Sequence, residues 1–64
     1  MSGDIMDIKE TADYLNMKPQ TVYRLLHKDK LPALKIGGQW KIKKTHLDKM
    51  FDKVLEDKLN EIGQ

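Results

Sequence analysis

The sequence predicts a mainly α-helical domain with one small β-hairpin, in the order α-α-β-β-α. Two short segments with apolar residues at helical spacing are joined by a turn of about three residues, which is typical of two packed helices. Two alternating segments flank Gly37 and Gly38, which indicates a hairpin. A long amphipathic segment follows, and 64 residues allow one domain with a thin core.

The first helix is expected to begin after Asp7 and to end near Leu15. Asp7 and Glu10 have the spacing of a capping box, in which the Asp side chain accepts hydrogen bonds from first-turn N–H groups. The apolar residues follow at helical spacing: Ile8, Ala12 and Leu15. Asn16 suits the left-handed conformation that ends many helices. Residues 1–6 have no periodicity and are expected to form a flexible leader.

The second helix is expected to begin at Pro19, because proline is favoured at the first helical position. It should run over about residues 19–28 and fray near Asp29, because Leu31-Pro32 cannot continue a helix. Its apolar face comprises Val22, Leu25 and Leu26. The opposite face carries basic and hydrogen-bonding side chains, with two rings at the border: Gln20, Thr21, Arg24, Lys28, Tyr23 and His27. Such a helix fits the major groove of DNA, and a solvated surface helix is the alternative interpretation.

The hairpin is predicted from the alternation of apolar and polar residues in segments 34–36 and 40–42. One register places all the apolar side chains on one face. Its pairs are Ile36 with Trp40 and Leu34 with Ile42. This register requires a three-residue loop, or a two-residue Gly-Gly turn with a bulge at Gln39.

The same register places Lys35 directly opposite Lys41 on the outer face. Like charges across a strand pair destabilise a sheet, but a bound phosphate would offset that cost. The alternative interpretation is two splayed, solvated lysines.

The third helix is expected to begin near Lys44, with Thr45 and Asp48 as a candidate cap pair. An apolar stripe should close the core over the first two helices: Leu47, Met50, Phe51, Val54 and Leu55. Residues 7–55 would then form the domain, and residues 56–64 a C-terminal helix extension or tail. The last two apolar residues of this segment, Leu59 and Ile62, are expected to stay exposed.

Charge is segregated along the chain, although the net charge is only +2. Residues 1–17 carry one Lys and four acids, whereas residues 18–44 carry eight Lys or Arg and one Asp. Residues 45–64 carry three Lys and five acids. This pattern predicts one anion-binding face on an otherwise acidic body.

Several classes of protein are disfavoured. The absence of cysteine excludes disulfides and thiolate metal sites, which agrees with a cytoplasmic protein. The apolar runs are too short for a membrane span, and the polar N-terminus does not resemble a signal peptide. His27 and His46 have no metal-ligand or nucleophile–base spacing, so we expect no enzyme, no metal and no cofactor.

Four segments together resemble the excisionase family of small winged helix-turn-helix proteins, which is related to the MerR-type DNA-binding domain. They are Asp7-Ile-Lys-Glu-Thr-Ala-Asp-Tyr-Leu15, Pro19-Gln-Thr-Val-Tyr-Arg-Leu-Leu26, Leu31-Pro32 and Ile36-Gly-Gly-Gln-Trp-Lys-Ile42. The resemblance covers about residues 7–51 in unbroken order. It implies binding to double-stranded DNA by a recognition helix in the major groove, with the Gly-Gly hairpin as a wing on the backbone or minor groove. The family often has Ser or Thr where this chain has Lys18.

By position, the resemblance assigns Gln20, Thr21, Tyr23 and Arg24 to the recognition helix, and Gly37, Gly38, Gln39, Trp40 and Lys41 to the wing. Among them Arg24 suits guanine and Gln20 suits adenine. Phosphate contacts are expected from six residues: Lys18, Thr21, Lys28, Lys35, Lys41 and Lys43. The Tyr23 hydroxyl suits a phosphate as well, and Trp40 is expected to act mainly as a lid on the core.

The role implied is that of a recombination directionality factor or a small transcriptional regulator, with an integrase or RNA polymerase as partner. The alternative is a protein-interaction module whose basic face binds an acidic partner. Because the exposed end of the third helix offers little apolar area, we expect a monomer in free solution. Pairing is then expected only where neighbouring DNA sites raise the local concentration.

Overall fold

The computed structural model describes residues 4–63. Along the chain, the elements are β1 (Ile5–Met6), α1 (Ile8–Leu15), α2 (Pro19–His27), β2 (Leu34–Ile36), β3 (Gln39–Lys43) and α3 (Lys44–Ile62). The strands form an antiparallel sheet in the order β1-β3-β2. Three helices with a small hairpin confirm the predicted class, a winged helix-turn-helix.

Local signals account for the ends of α1 and α2. The Asp7 carboxylate accepts from the Glu10 N–H at 2.8 Å and the Glu10 carboxylate from the Asp7 N–H at 3.0 Å, which confirms the capping box. Asn16 ends α1 with φ 57°, as expected, and Asp29 follows α2 with the same φ. In each case the next N–H bonds back into the helix, Met17 to the Ala12 carbonyl and Lys30 to that of Leu25.

The expectation of a flexible leader is wrong for residues 4–6, and residues 1–3 lie outside the described residues. Met6 pairs with Ile42 and is buried in the core. The Asp4 carbonyl accepts from the Lys44 N–H at 2.7 Å, and its carboxylate accepts from both the N–H and the hydroxyl of Thr45. The segment before α1 therefore caps α3.

This contact also corrects the predicted cap pair of Thr45 and Asp48. The capping position of α3 is Lys43, whose side chain makes no cap hydrogen bond. Thr45 instead donates to Asp4, which lies 41 positions earlier in the chain. Capping motifs join residues only a few positions apart, so the sequence pattern does not indicate Asp4 as the partner of Thr45.

The core lies between α1, α2, the inner face of the sheet and the first turns of α3. Its buried apolar residues are Met6, Ala12, Val22, Leu26, Leu31, Ile42 and Leu47. Trp40 is half-buried and packs against this core, as a lid would.

The hairpin register differs from the predicted one. The observed pairs are Leu34 with Lys41, Lys35 with Trp40, and Ile36 with Gln39, without a bulge. Gly37 and Gly38 form a two-residue loop with φ 58° and 81°, and two positive φ values are what a type I′ turn requires. The turn therefore set the register, and the apolar side chains did not.

Opposite residues share a face, so the sheet has two distinct faces. The inner face carries Met6, Lys35, Trp40 and Ile42, and the outer face carries Ile5, Leu34, Ile36, Gln39, Lys41 and Lys43. Leu34 and Ile36, predicted to share one face with Trp40 and Ile42, lie on the other face and are 67% and 57% exposed. The predicted pair of Lys35 and Lys41 does not exist, because the two lysines lie on opposite faces.

The apolar stripe of α3 is buried only at its start. Leu47 is buried and Met50 half-buried, but Phe51, Val54 and Leu55 are 60%, 60% and 46% exposed. The predicted closure of the core is thus confirmed for Leu47 and Met50 and wrong for the other three residues, and α3 packs mainly against β3. With 19 residues α3 is about 28 Å long, whereas α1 and α2 each span about 12–14 Å. The outer half of α3 therefore extends beyond the helices that could cover it.

Candidate nucleic-acid interface

One face of α2 packs on the core, and the opposite face is exposed to solvent. Val22 and Leu26 are buried and Leu25 is half-buried, which fixes the orientation of α2 on the core. Four side chains proposed to contact DNA are exposed on α2 or just after it: Gln20, Tyr23, Arg24 and Lys28. Thr21 is half-buried at the edge of this face.

Lys18 precedes α2 at its capping position, where its side chain makes no cap hydrogen bond. A helix N-terminus carries a partial positive charge, and an adjacent ammonium adds to it. The start of α2 therefore presents positive charge together with the Gln20 N–H, since Pro19 has no N–H and the Thr21 N–H donates to the Lys18 carbonyl.

A groove of about 410 Å³ lies between the hairpin, the start of α1 and Tyr23 of α2. We call it the helix–hairpin groove, and it is lined by Asp7, Ile8, Lys9, Tyr23, Lys35, Gly38, Gln39, Trp40 and Lys41. Five of these residues were proposed from the sequence as DNA contacts: Tyr23, Lys35, Gly38, Gln39 and Lys41. The fold thus brings a residue of α2 and the hairpin to one concave surface.

Lys35 is positioned in this groove by Trp40. The two residues are opposite each other on β2 and β3, and the Lys35 ammonium lies 5.5 Å from the centroid of the Trp40 ring. A cation over an indole face is attracted by the quadrupole of the ring. Trp40 therefore covers the core and also holds a positive charge on the inner face of the hairpin.

Lys9 also lines the groove, and sequence reasoning missed it. It belongs to an acidic segment of the chain, which hid its position in space. No local signal could have found it, because the start of α1 meets the hairpin only through the tertiary fold. The neighbouring Asp7 carboxylate is engaged in the capping box.

The remaining predicted contacts are more dispersed. Gly37 is exposed at the tip of the hairpin beside Gly38. Lys41 is half-buried and reaches the rims of both sheet faces. Lys43 lies on the outer face, with its ammonium 3.9 Å from the Asp4 carboxylate. The structure does not bring Lys43 to the helix–hairpin groove.

A separate contact joins α1 to α3 away from the groove. The Tyr14 hydroxyl donates a hydrogen bond to the Asp48 carboxylate, and the Lys44 ammonium lies 4.8 Å from the centroid of the Tyr14 ring. The hydrogen bond to Asp48 raises the pKa of Tyr14 above its usual value, because ionised Tyr14 could no longer donate it.

A metal site and a membrane-spanning helix would each require specific features of residues 4–63. Within residues 4–63, no group of three or more His, Asp or Glu side chains is placed to hold a metal ion. Nor is any helix in this part of the chain long and apolar enough to cross a membrane.

The fold and the basic groove define a small DNA-binding protein of the helix-turn-helix class. The chain matches the family described as "Helix-turn-helix domain" over residues 5–54, and it belongs to that family. The match includes β1 and ends within α3, at Val54. It confirms the resemblance to excisionase-like proteins at the level of the family. Comparisons with curated proteins and with solved structures found no match.

Proposed function

We propose that the protein binds duplex DNA sequence-specifically, with α2 in the major groove and the hairpin turn on the adjacent backbone or minor groove. The observation that carries this proposal is the helix–hairpin groove, where Tyr23 of α2 faces the Lys35–Trp40 pair of the wing. A concave basic surface between two projecting elements suits a phosphate backbone that passes from one DNA groove to the next.

Within this arrangement, two exposed side chains of α2 would select bases. Arg24 would donate to guanine and Gln20 would pair with adenine, since both side chains can make bidentate contacts in the major groove. They lie four positions apart and therefore on the same side of the helix.

The backbone contacts divide into three groups. At α2, they would come from Lys18, Thr21, Tyr23 and Lys28. In the helix–hairpin groove, they would come from Lys9 and Lys35, with Gly37, Gly38 and Gln39 approaching through the turn. At the rim of the wing, Lys41 would contribute, and Lys43 would contribute least because it lies on the outer face beside Asp4.

DNA binding of this kind serves either of two roles, recombination directionality or transcriptional control, in the cytoplasm. An integrase or an RNA polymerase would be the corresponding protein partner. Both roles require the same contacts with DNA, so the structure favours neither of them. In free solution we propose a monomer, with cooperative assembly on neighbouring DNA sites.

The test is the salt dependence of binding to a random-sequence duplex, followed by fluorescence anisotropy. About five to seven phosphate contacts predict a slope of log K against log salt of roughly −4 to −6. Lys53→Ala, on the exposed outer half of α3, is the charge-matched control for Lys35→Ala and should leave the slope unchanged.

The competing function is a protein-interaction module whose basic face binds an acidic partner. Such a module would not bind random duplex DNA even at low salt, in a gel mobility shift or by anisotropy. A slope of log K against log salt could then not be measured. A selection of bound sites from a random pool would then distinguish sequence-specific binding from general affinity for phosphate. An unenriched pool would leave DNA binding in place but contradict base recognition by Arg24 and Gln20.

A further inference from the structure

Two apolar surfaces of the molecule are uncovered, and the proposed DNA contacts do not use their apolar side chains. The first, the α3 stripe, comprises Phe51, Val54, Leu55, Leu59 and Ile62, which are 46–69% exposed. The second, the sheet patch, comprises Ile5, Leu34 and Ile36 on the outer face, which are 41–67% exposed. The sheet patch forms the floor of a groove of about 690 Å³ that Pro32 and Ala33 extend.

The α3 stripe is bordered by carboxylates on both sides. At 100° per residue, one border carries Asp52 and Glu56, and the other carries Asp57 and Glu61. Lys58 lies within the stripe, whereas Lys49 and Lys53 lie on the far side of the helix. Two copies of α3 packed stripe to stripe would bring carboxylates against carboxylates, which disfavours that pairing.

The sheet patch is bordered mainly by basic side chains, in contrast to the carboxylates that border the α3 stripe. Lys41, Lys43 and His46 line its groove, and Asp4 lies 3.9 Å from the Lys43 ammonium. The basic groups exceed the one carboxylate, so the groove suits an apolar surface with acidic edges. The α3 stripe of this same chain has that chemistry.

A single copy cannot place its own stripe on its own patch. His46 borders the groove of the sheet patch, and Phe51 begins the exposed stripe five residues later on the same helix. Five residues correspond to about 140° around the helix axis, so the two surfaces face different directions. The partner surface must therefore belong to another molecule.

We propose that the α3 stripe of one copy docks on the sheet patch of a second copy. The contact uses two different surfaces, so it is heterologous and can continue from copy to copy. It uses the outer face of the sheet and leaves Tyr23, Lys35 and Trp40 free on the helix–hairpin groove, whereas Lys41 and Lys43 border the sheet patch and are also proposed phosphate contacts. The self-association does not depend on DNA binding.

The contact is expected to be weak. Three aliphatic side chains on the patch and a helix edge bury less than the roughly 1,200 Å² at which standard stable interfaces begin. A dissociation constant near 1 mM is therefore expected, which agrees with a monomer at low concentration. The interface would form in concentrated protein, or where a common ligand holds copies side by side.

The test follows ¹⁵N–¹H NMR spectra of the full chain, without DNA, from about 50 µM to about 1 mM, a range that reaches the expected dissociation constant. The amide peaks of the sheet patch and of the α3 stripe should move together. Leu34→Glu and Phe51→Glu should each abolish the shifts, because each disables one of the two surfaces. Asn60→Glu, which adds the same charge on the far side of α3, should keep them. The dispersion of each spectrum shows whether the variant is folded.

The decisive arm mixes the two disabled variants. Labelled Leu34→Glu retains its α3 stripe and unlabelled Phe51→Glu retains its sheet patch, so the mixture should restore the shifts at the stripe. If α3 pairs with itself instead, Leu34→Glu will still associate alone, and mixing will restore nothing. That result, or unmoving peaks at about 1 mM wild-type protein, would overturn the proposal. Because no DNA is present, either result leaves the proposed function unaffected.

Discussion

The two faces of the hairpin share one backbone but differ in what they contact. On the inner face Ile42 is fully buried, and Trp40 packs on the core beneath the Lys35 ammonium. On the outer face Leu34 and Ile36 remain exposed next to Lys41 and Lys43. A short strand pair thus supplies both a stabilising surface and an open one. The difference shows that apolar residues in a small domain are not all core residues.

The largest expected effect is a difference in the free energy of unfolding between substitutions on the two faces of the hairpin. Ile42→Ala removes fully buried methyl groups and should lower the free energy of unfolding by about 2–5 kcal/mol. The same truncation on the outer face, Ile36→Ala, should change it by no more than about 0.5 kcal/mol. Urea unfolding followed by circular dichroism measures both. Equal losses would show that the outer face is covered in solution.

A second prediction concerns the turn that sets the two faces. Gly38 has φ 81° and open space around the position of a Cβ, so Gly38→Val is strained by its backbone conformation alone. The expected cost is about 1–3 kcal/mol, with lower DNA affinity and nearly unchanged helix content. Gly37→Asn is the control, because Asn-Gly is favoured in type I′ turns. Loss of all helical signal in Gly38→Val would show that the hairpin belongs to the folding core.

A third prediction separates base contacts from backbone contacts. Arg24→Ala should weaken binding by about 1–3 kcal/mol and relax sequence preference. Lys35→Ala and Lys41→Ala should weaken all sites about equally and reduce the salt slope by about 1 each. Lys43→Ala should have a smaller effect, because Lys43 lies on the outer face. Binding measured across a set of duplexes at several salt concentrations tests the order. A change of preference in Lys41→Ala but not in Arg24→Ala would reverse these roles.

The smallest expected effect lies outside the hairpin, at the contact between α1 and α3. The pKa of Tyr14 is raised in the folded state by its hydrogen bond to Asp48, so folding favours the protonated hydroxyl. This stabilisation is complete below the usual pKa of 10.0 and is lost as pH rises through the higher folded value. The difference in urea midpoint between wild type and Tyr14→Phe should therefore be constant at neutral pH and shrink in strong alkali. A difference that grows with pH would contradict the assignment.

Features that depend on neighbouring residues could be predicted from the sequence. The capping box of Asp7 and Glu10, the left-handed Asn16 and the start at Pro19 each involve partners within about four positions. The basic character of the exposed face of α2 follows from the same periodicity. These signals were enough for the class of fold and for the position and exposed face of α2.

Features decided by the tertiary fold could not be predicted in this way. The cap of α3 comes from Asp4, far away in sequence, and Lys9 reaches the groove only because α1 meets the hairpin. Phe51 and Leu55 stay exposed because α1 and α2 do not extend far enough to cover them. In the hairpin two signals conflict, because the Gly-Gly turn favours a two-residue loop whereas the apolar pattern favours a longer one, and the turn determines the register.

The contacts of Asp4 and Met6 also bear on the order in which the domain can form during synthesis. Met6 pairs with Ile42, and Asp4 bonds to Lys44 and Thr45, so these partners emerge from the ribosome about 40 residues later. At about 5–20 residues per second, β1 remains without its partner strand for several seconds. The helices α1 and α2 can pair in that interval through local contacts. Closure of the sheet and capping of α3 then follow together, as one late and cooperative step.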